Sequence, residues 1–452
     1  MMEQRKPTMN LDYVKYLLVL LLTIGVTDLD FHIGYPILDQ QLHILIILVC
    51  LSLVLNSVLL IILGFCLFFG FPLLSENPSN YTLLIKSLSI VVIPSIIYAT
   101  YKTCGTSFTC VLSAFLLYPL LGLGVSVNYF DLLSHIFIDT TAMLGMAVAI
   151  ITGIVFVFVS MGKILVHTGI VDRFIFHITN HMESPARIAI MSSAIFGSVS
   201  GSAVSNVMST GQLTIPLMLK CGYTKVRACA YEAVASTGGQ LMPPVMGAAA
   251  FLMAELLMIS YWEVVKVAII PSVMFYAILL LGTPKGDTKI KVEKKSLQIP
   301  TVKEVTKDIA DSMYGIIILS AAIGLIIGIL DQTGLSFDIS TFIIQMSNGS
   351  VPLILKLTAV LCIVLGMGMP TTSTYLIVAI ICAPALIESG FDELYSHLFV
   401  LYYGCLSLIT PPVALASFSA AKITGANPMS VAVESIYLAW PLFLIPFIFI
   451  MM

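Results

Sequence analysis

Seven stretches of this chain are too apolar for a soluble fold: Leu42 to Leu74, Val111 to Val125, Ala142 to Met161, Val245 to Leu281, Ile316 to Leu330, Val351 to Met369 and Leu398 to Phe418. A hydrocarbon core about 30 Å thick takes about 20 helical residues to cross, and these runs supply such spans singly or in pairs. Hydrophobic residues fill 59% of the 452 positions and charged ones 10%, against about 45–50% and about 25% in soluble domains. The expected fold is an all-α polytopic membrane protein with roughly ten to twelve passes, re-entrant pieces included.

The net charge of -3 carries no nucleic-acid signal, because the basic residues lie in short connections and form no binding face. They speak to orientation instead. Arg5, Lys6 and Lys15 flank the first span, read as retained; Lys285, Lys289, Lys291, Lys294, Lys295, Lys303 and Lys307 crowd the one long hydrophilic linker. The positive-inside bias places both in the cytoplasm. Nine cysteines are scattered through apolar sequence without a C-x-x-C and read as small packing residues.

Two polar knots interrupt the apolar sequence. The first, Gly197 to Asn206, is followed by Pro243-Pro244-Val245; the second, Gly366 to Thr374, is followed by Pro411-Pro412-Val413, at shifts of 169 and 168 residues. From Ile188 to Phe196 there are nine residues before the first knot, about 14 Å of helix and half of the hydrocarbon depth. Each knot therefore reads as the tip of a hairpin that enters the membrane and leaves by the same side; in the second, Leu353 to Leu365 and Tyr375 to Pro384 are the arms. Proline lacks an N–H and clashes with the carbonyl one turn back, so each Pro-Pro breaks its helix and frees carbonyls. Such backbone at membrane depth lines a buried or watery site, and its duplication points to a transporter's binding site.

The expected organisation is an N-terminal helical stretch, 1–135; a first transport repeat, 136–282, with hairpin 184–219; a linker and amphipathic helix, 283–313; and a second repeat, 314–452, with hairpin 351–387. The amphipathic helix follows from Thr301 with Glu304 as a capping box and from Val302, Val305, Ile309 and Met313 on one face. Lys303, Lys307, Asp308 and Asp311 on the other face suit a helix that lies at the membrane surface before entering the next span.

Hydroxyls, a carboxamide and freed carbonyls are hard, neutral oxygen ligands, and neither tip carries a carboxylate of the kind Ca²⁺ or Mg²⁺ would want. Sodium suits them better. Its expected ligands are Ser198, Gly201, Ser202, Asn206, Gln240 and Pro243 in the first copy, with Gly366, Met369, Thr371, Thr372, Thr410 and Pro411 in the second. Helix N-termini at the tips attract anions, so Ser200, Ser205, Ser373 and Thr374 are expected at a small anionic substrate. Glu232 and Glu255 are intramembrane carboxylates, the first a candidate on an ion path or else a satisfied structural group; His397 reads as interfacial. There is no H-E-x-x-H, G-x-S-x-G or ATP-binding G-x-x-x-x-G-K-[ST], so neither an enzyme nor an ATP-driven pump is indicated, and no cofactor besides Na⁺ as coupling ion.

Ser200 to Val207, Glu232 to Phe251, Gly366 to Thr372 and Ile409 to Ala414 resemble the membrane component of tripartite ATP-independent periplasmic (TRAP) transporters, over about residues 135 to 450. The wording is nearest the fused permeases that work with a TAXI-type receptor. The resemblance implies two inverted-topology repeats, an elevator mechanism coupled to sodium, and an organic acid delivered by a periplasmic or lipid-anchored solute-binding protein. It places the chain in the inner membrane as a multi-pass permease, with sodium ligands at the tips and breaks. Residues 1–135 fall to the fused small subunit by position, and the chain stops at Met452 where many fused relatives continue. A passive channel lined by the knots is the competing reading.

Overall fold

The computed structural model describes residues 11–27, 37–76, 82–121, 128–139, 142–170, 173, 176–177, 182, 184–284 and 300–451. All regular structure among them is helical. Six helices are long and apolar enough to cross a membrane: Leu83–Cys104, Met146–His167, Tyr261–Leu281, Val302–Thr333, Thr371–Glu388 and Pro428–Phe449. Shorter apolar helices accompany them, including Asp39–Leu55 and Val58–Glu76, into which the run from Leu42 divides at Asn56, left-handed at φ 52°.

Two compact units are built from four stretches: Met1–Lys163 with Pro300–Leu335, and Ile164–Ile299 with Ser336–Met452. The division does not follow the linear order of the sequence. Residues 136–163 and 314–335, expected inside the two repeats, pack with the N-terminal helices. With the repeat shift of 168, Met146–His167 aligns with the later part of Val302–Thr333. Each repeat thus gives its first helix to one unit and its hairpin, broken helix and final span to the other.

In the first unit, Val302–Thr333 is a single helix of 32 residues, about 48 Å long. Val305, Ile309 and Met313 are buried as the periodicity predicts while Val302 at the helix start is exposed, and the opposite face carries ion pairs. Lys307 pairs with Asp12 at 2.8 Å, Lys163 with Asp308 at 3.2 Å, and Asp311 with Lys15. The expected amphipathic helix is the charged start of this long helix and continuous with the span, and Lys15 sits inside helix Leu11–Thr27 rather than in a flank. Thr301 is its N-cap residue but makes no side-chain capping bond. Arg5, Lys6 and the linker lysines 285–295 lie outside the described residues.

The second unit holds both hairpins. The arms of the first are Pro185–Ser200 and Ala203–Lys220, of 16 and 18 residues. Those of the second are Val351–Gly366 and Thr371–Glu388, again of 16 and 18 residues. A 16-residue helix rises about 24 Å, short of a full crossing of about 30 Å, yet longer than the half-depth read from sequence. The first helix runs on through Gly197 to Ser200, and both second arms continue past their matched prolines, Pro216 and Pro384. Helix Lys225–Gly239 then breaks and resumes as Ala248–Leu256; Glu393–Leu406 ends in a 3-10 turn to Ile409 and resumes as Leu415–Thr424. Both breaks contain a cis Pro-Pro bond.

Candidate functional site at the hairpin tips

The first tip is a two-residue turn, Gly201-Ser202. Gly201 is left-handed at φ 63°, and Ser202 accepts the backbone N–H of Ser205 at 3.3 Å as the N-cap of the second arm. Gly201 and Gly247, at the far side of the first break, meet backbone to backbone: a Cβ on Gly247 would lie 2.6 Å from the Gly201 carbonyl oxygen. Gly197 and Gly239 meet likewise, a Cβ on either lying 2.6 Å from the other's Cα. Gly197 serves close packing and does not break its helix, which runs on to Ser200, so the turn falls in the middle of the expected tip.

The second tip, Met367 to Pro370, is longer. Gly368 is left-handed at φ 76°, and the Thr374 N–H closes onto the Pro370 carbonyl at 3.0 Å. Gly366 approaches Ser407, as Gly197 approaches Gly239 at the same repeat positions. Thr371 donates its hydroxyl to Oε1 of Gln240 at the first break. The first break therefore touches both tips.

Of the expected sodium ligands, Thr371 meets Gln240, and Gly201, next to Ser202, meets Gly247 at the other end of the same break. The Gln240 side chain is buried, and its Nε2 has no hydrogen-bond partner. Ser198 turns back onto the Ile195 carbonyl at 2.9 Å, Thr410 onto that of Leu406 at 2.8 Å, and Met369 and Gly366 are buried in the second tip. Thr372, Pro243 and Pro411 are half-buried. Asn206 is fully buried; its Nδ2 donates to the Ser193 carbonyl at 2.8 Å and its Oδ1 lies 3.1 Å from the Thr210 hydroxyl. Among the expected substrate residues, the Ser200 and Ser373 hydroxyls are buried without partners, Thr374 bonds the Pro370 carbonyl at 3.1 Å, and Ser205 is exposed.

Several of the freed carbonyls are taken up by the next helix, Tyr261–Leu281. Ser272 donates to the Leu241 carbonyl, and the Tyr261 hydroxyl lies 2.6 Å from that of Pro244 and 2.8 Å from that of Val245. His397 is buried, and its Nδ1 is hydrogen-bonded to the Tyr375 hydroxyl at 2.8 Å. Glu255 is exposed.

Glu232 is fully buried and engages the arms of the first hairpin rather than the break. Its Oε1 accepts from Ser193 at 2.7 Å, Thr210 at 2.5 Å and Ser236 at 3.2 Å, and its Oε2 from Thr214 at 2.5 Å. These four hydroxyls were not legible as a site. Their one signal is spacing: Thr210 with Thr214, and Glu232 with Ser236, stand four apart and so share a helix face.

Paired hairpins of matched arm length, each followed by a broken helix, within an apolar all-α chain define a multi-pass membrane transport protein. Residues 42–285 and 277–452 match the family described as the tripartite ATP-independent periplasmic transporter, DctM component, and the chain belongs to that family. It is an inner-membrane permease subunit of a TRAP transporter and not an enzyme. DctM components work with a periplasmic solute-binding protein and a DctQ subunit. The match begins at residue 42, so it reaches well into the N-terminal stretch that showed no motif. No curated protein matches the chain.

Proposed function

We propose that this permease takes up an organic acid by sodium-coupled secondary transport, the acid being handed over by an extracytoplasmic solute-binding protein of the TAXI type. The observation that carries the reading is that the first break touches both tips, through the Gln240 carboxamide on the Thr371 hydroxyl and through the Gly201–Gly247 backbone contact, with no carboxylate among these groups. That set suits a monovalent cation held by neutral oxygens, next to helix N-termini that attract an anion. Equal arm lengths and the matched Pro216 and Pro384 support two repeats of one design, read as inverted in the membrane. In an elevator the unit with both hairpins is the moving part and residues 1–163 with 300–335 the scaffold.

Proteoliposomes with the cognate receptor test this. Saturable accumulation that needs both sodium and receptor is expected, with Asn206→Ala and Thr372→Ala each raising the sodium concentration for half-maximal uptake. Receptor-independent leak at high conductance favours a channel and sinks the proposal.

A further inference from the structure

Among the described residues Glu232 is the only carboxylic acid with a buried side chain, and nothing in the transport reading above uses it. Its four hydroxyl partners come from three helices: Ser193 on the first arm, Thr210 and Thr214 on the second, and Ser236 on its own helix. One of these four residues also holds Asn206, and a second lies against it. The Ser193 carbonyl accepts from Asn206 Nδ2 at 2.8 Å, and the Thr210 hydroxyl lies 2.9 Å from the Asn206 carbonyl and 3.1 Å from its Oδ1. Gly211 leaves room for the carboxyl, since a Cβ there would come 3.2 Å from Glu232 Cγ.

The second hairpin is built without any of this. By the repeat shifts, Ser193, Thr210, Thr214, Glu232 and Ser236 correspond to Cys362, Val378, Cys382, Val400 and Gly404. The alignment holds in space, because Gly404 faces Thr374 and Val378 as Ser236 faces the cluster around Thr210. Arms of 16 and 18 residues pack on a broken helix with apolar residues there, so the architecture itself does not require the carboxyl. A fully satisfied polar network fixes one geometry more narrowly than apolar packing does.

We propose that Glu232 is a positioning residue that sets the tip of the first hairpin: it fixes Ser193, whose carbonyl holds Asn206, and Thr210 beside it, one turn beyond the Gly201-Ser202 turn. Among the described residues all of the carboxyl's hydrogen-bond partners are hydroxyl donors. Where Asn206 meets sodium, the inference rests on the function proposed above.

Hydrogen exchange of the purified full chain in sodium-free choline buffer tests the positioning by itself. Glu232→Gln keeps the size and puts an NH₂ donor where one accepting oxygen stood, so at least one hydroxyl loses its acceptor. Exchange is expected to quicken about tenfold or more in residues 197–210 and to stay unchanged in 366–378. No change in either tip, or an equal rise in both, overturns the proposal. Thr210→Val removes one donor and is read the same way, so the test stands if the first variant does not fold. Sodium titration of thermal unfolding then separates the two readings. The midpoint is expected to rise about tenfold in Glu232→Gln, a penalty of about 1.4 kcal/mol. An unchanged midpoint refutes the action on Asn206, whereas a wild type indifferent to sodium refutes sodium coupling and leaves the exchange result to judge Glu232.

Discussion

The two hairpins have arms of the same length and breaks of the same chemistry, yet their interiors differ completely. The first is tied to its broken helix by a carboxyl and three hydroxyls of its arms, whereas the second has Val378, Val400 and two cysteines at the matching positions, all buried. A polar link does appear in the second repeat, between Tyr375 and His397, but at positions where the first has Val207 and Cys229. Backbone architecture and interior chemistry are therefore separable here. Helix length and Gly-to-backbone contact set the shape, and side chains decide how firmly each tip is held.

The sharpest way to break that comparison is to move the carboxyl. Val400→Glu would bury an acid where the positions matching Ser193, Thr210 and Thr214 are Cys362, Val378 and Cys382, all buried and none a hydroxyl, a penalty of several kcal/mol, about 3–5. Loss of monodisperse protein on size-exclusion chromatography is expected; a stable variant would mean the second hairpin tolerates polarity after all.

Next come the glycines. Gly239→Ala sets a methyl 2.6 Å from the Gly197 Cα, a backbone atom that cannot turn aside, whereas Gly366→Ala meets the ends of the Ser407 and Thr374 side chains at 2.5 and 2.8 Å. Thermal unfolding should fall further for the first, by about 3 kcal/mol against about 1 for the second. Equal losses would show the two tips to be equally rigid. Tyr375→Phe should weaken the protein by about 1–2 kcal/mol, as expected for a buried hydrogen bond whose His397 partner remains. Glu255→Gln, at an exposed position, should leave the unfolding midpoint within about 0.5 kcal/mol of wild type, in contrast to any change at Glu232.

The hairpins were legible because glycine, proline and hydroxyl residues are rare in lipid-facing sequence and recurred at one shift. The position of the first turn was not, since Gly197 acts as a spacer against Gly239 and only Gly201 takes the left-handed conformation. Ser193, Thr210 and Thr214 escaped notice because single hydroxyls in apolar helices usually return to their own backbone, and their real partner lies on another helix. The division into units was hidden for a different reason. Met146–His167 and Val302–Thr333 have the same apolar character as the helices they leave behind, so hydropathy carries no mark of which neighbours they choose.

That division has a consequence in time. The first unit cannot be finished until Pro300–Leu335 has been synthesised, by which point the first hairpin and its broken helix already exist without the second copy. Every partner of Glu232 lies between residues 193 and 236, so the acid finds all its donors within one early stretch of chain. The growing protein need never carry that group unsatisfied into the lipid while it waits for the rest of itself.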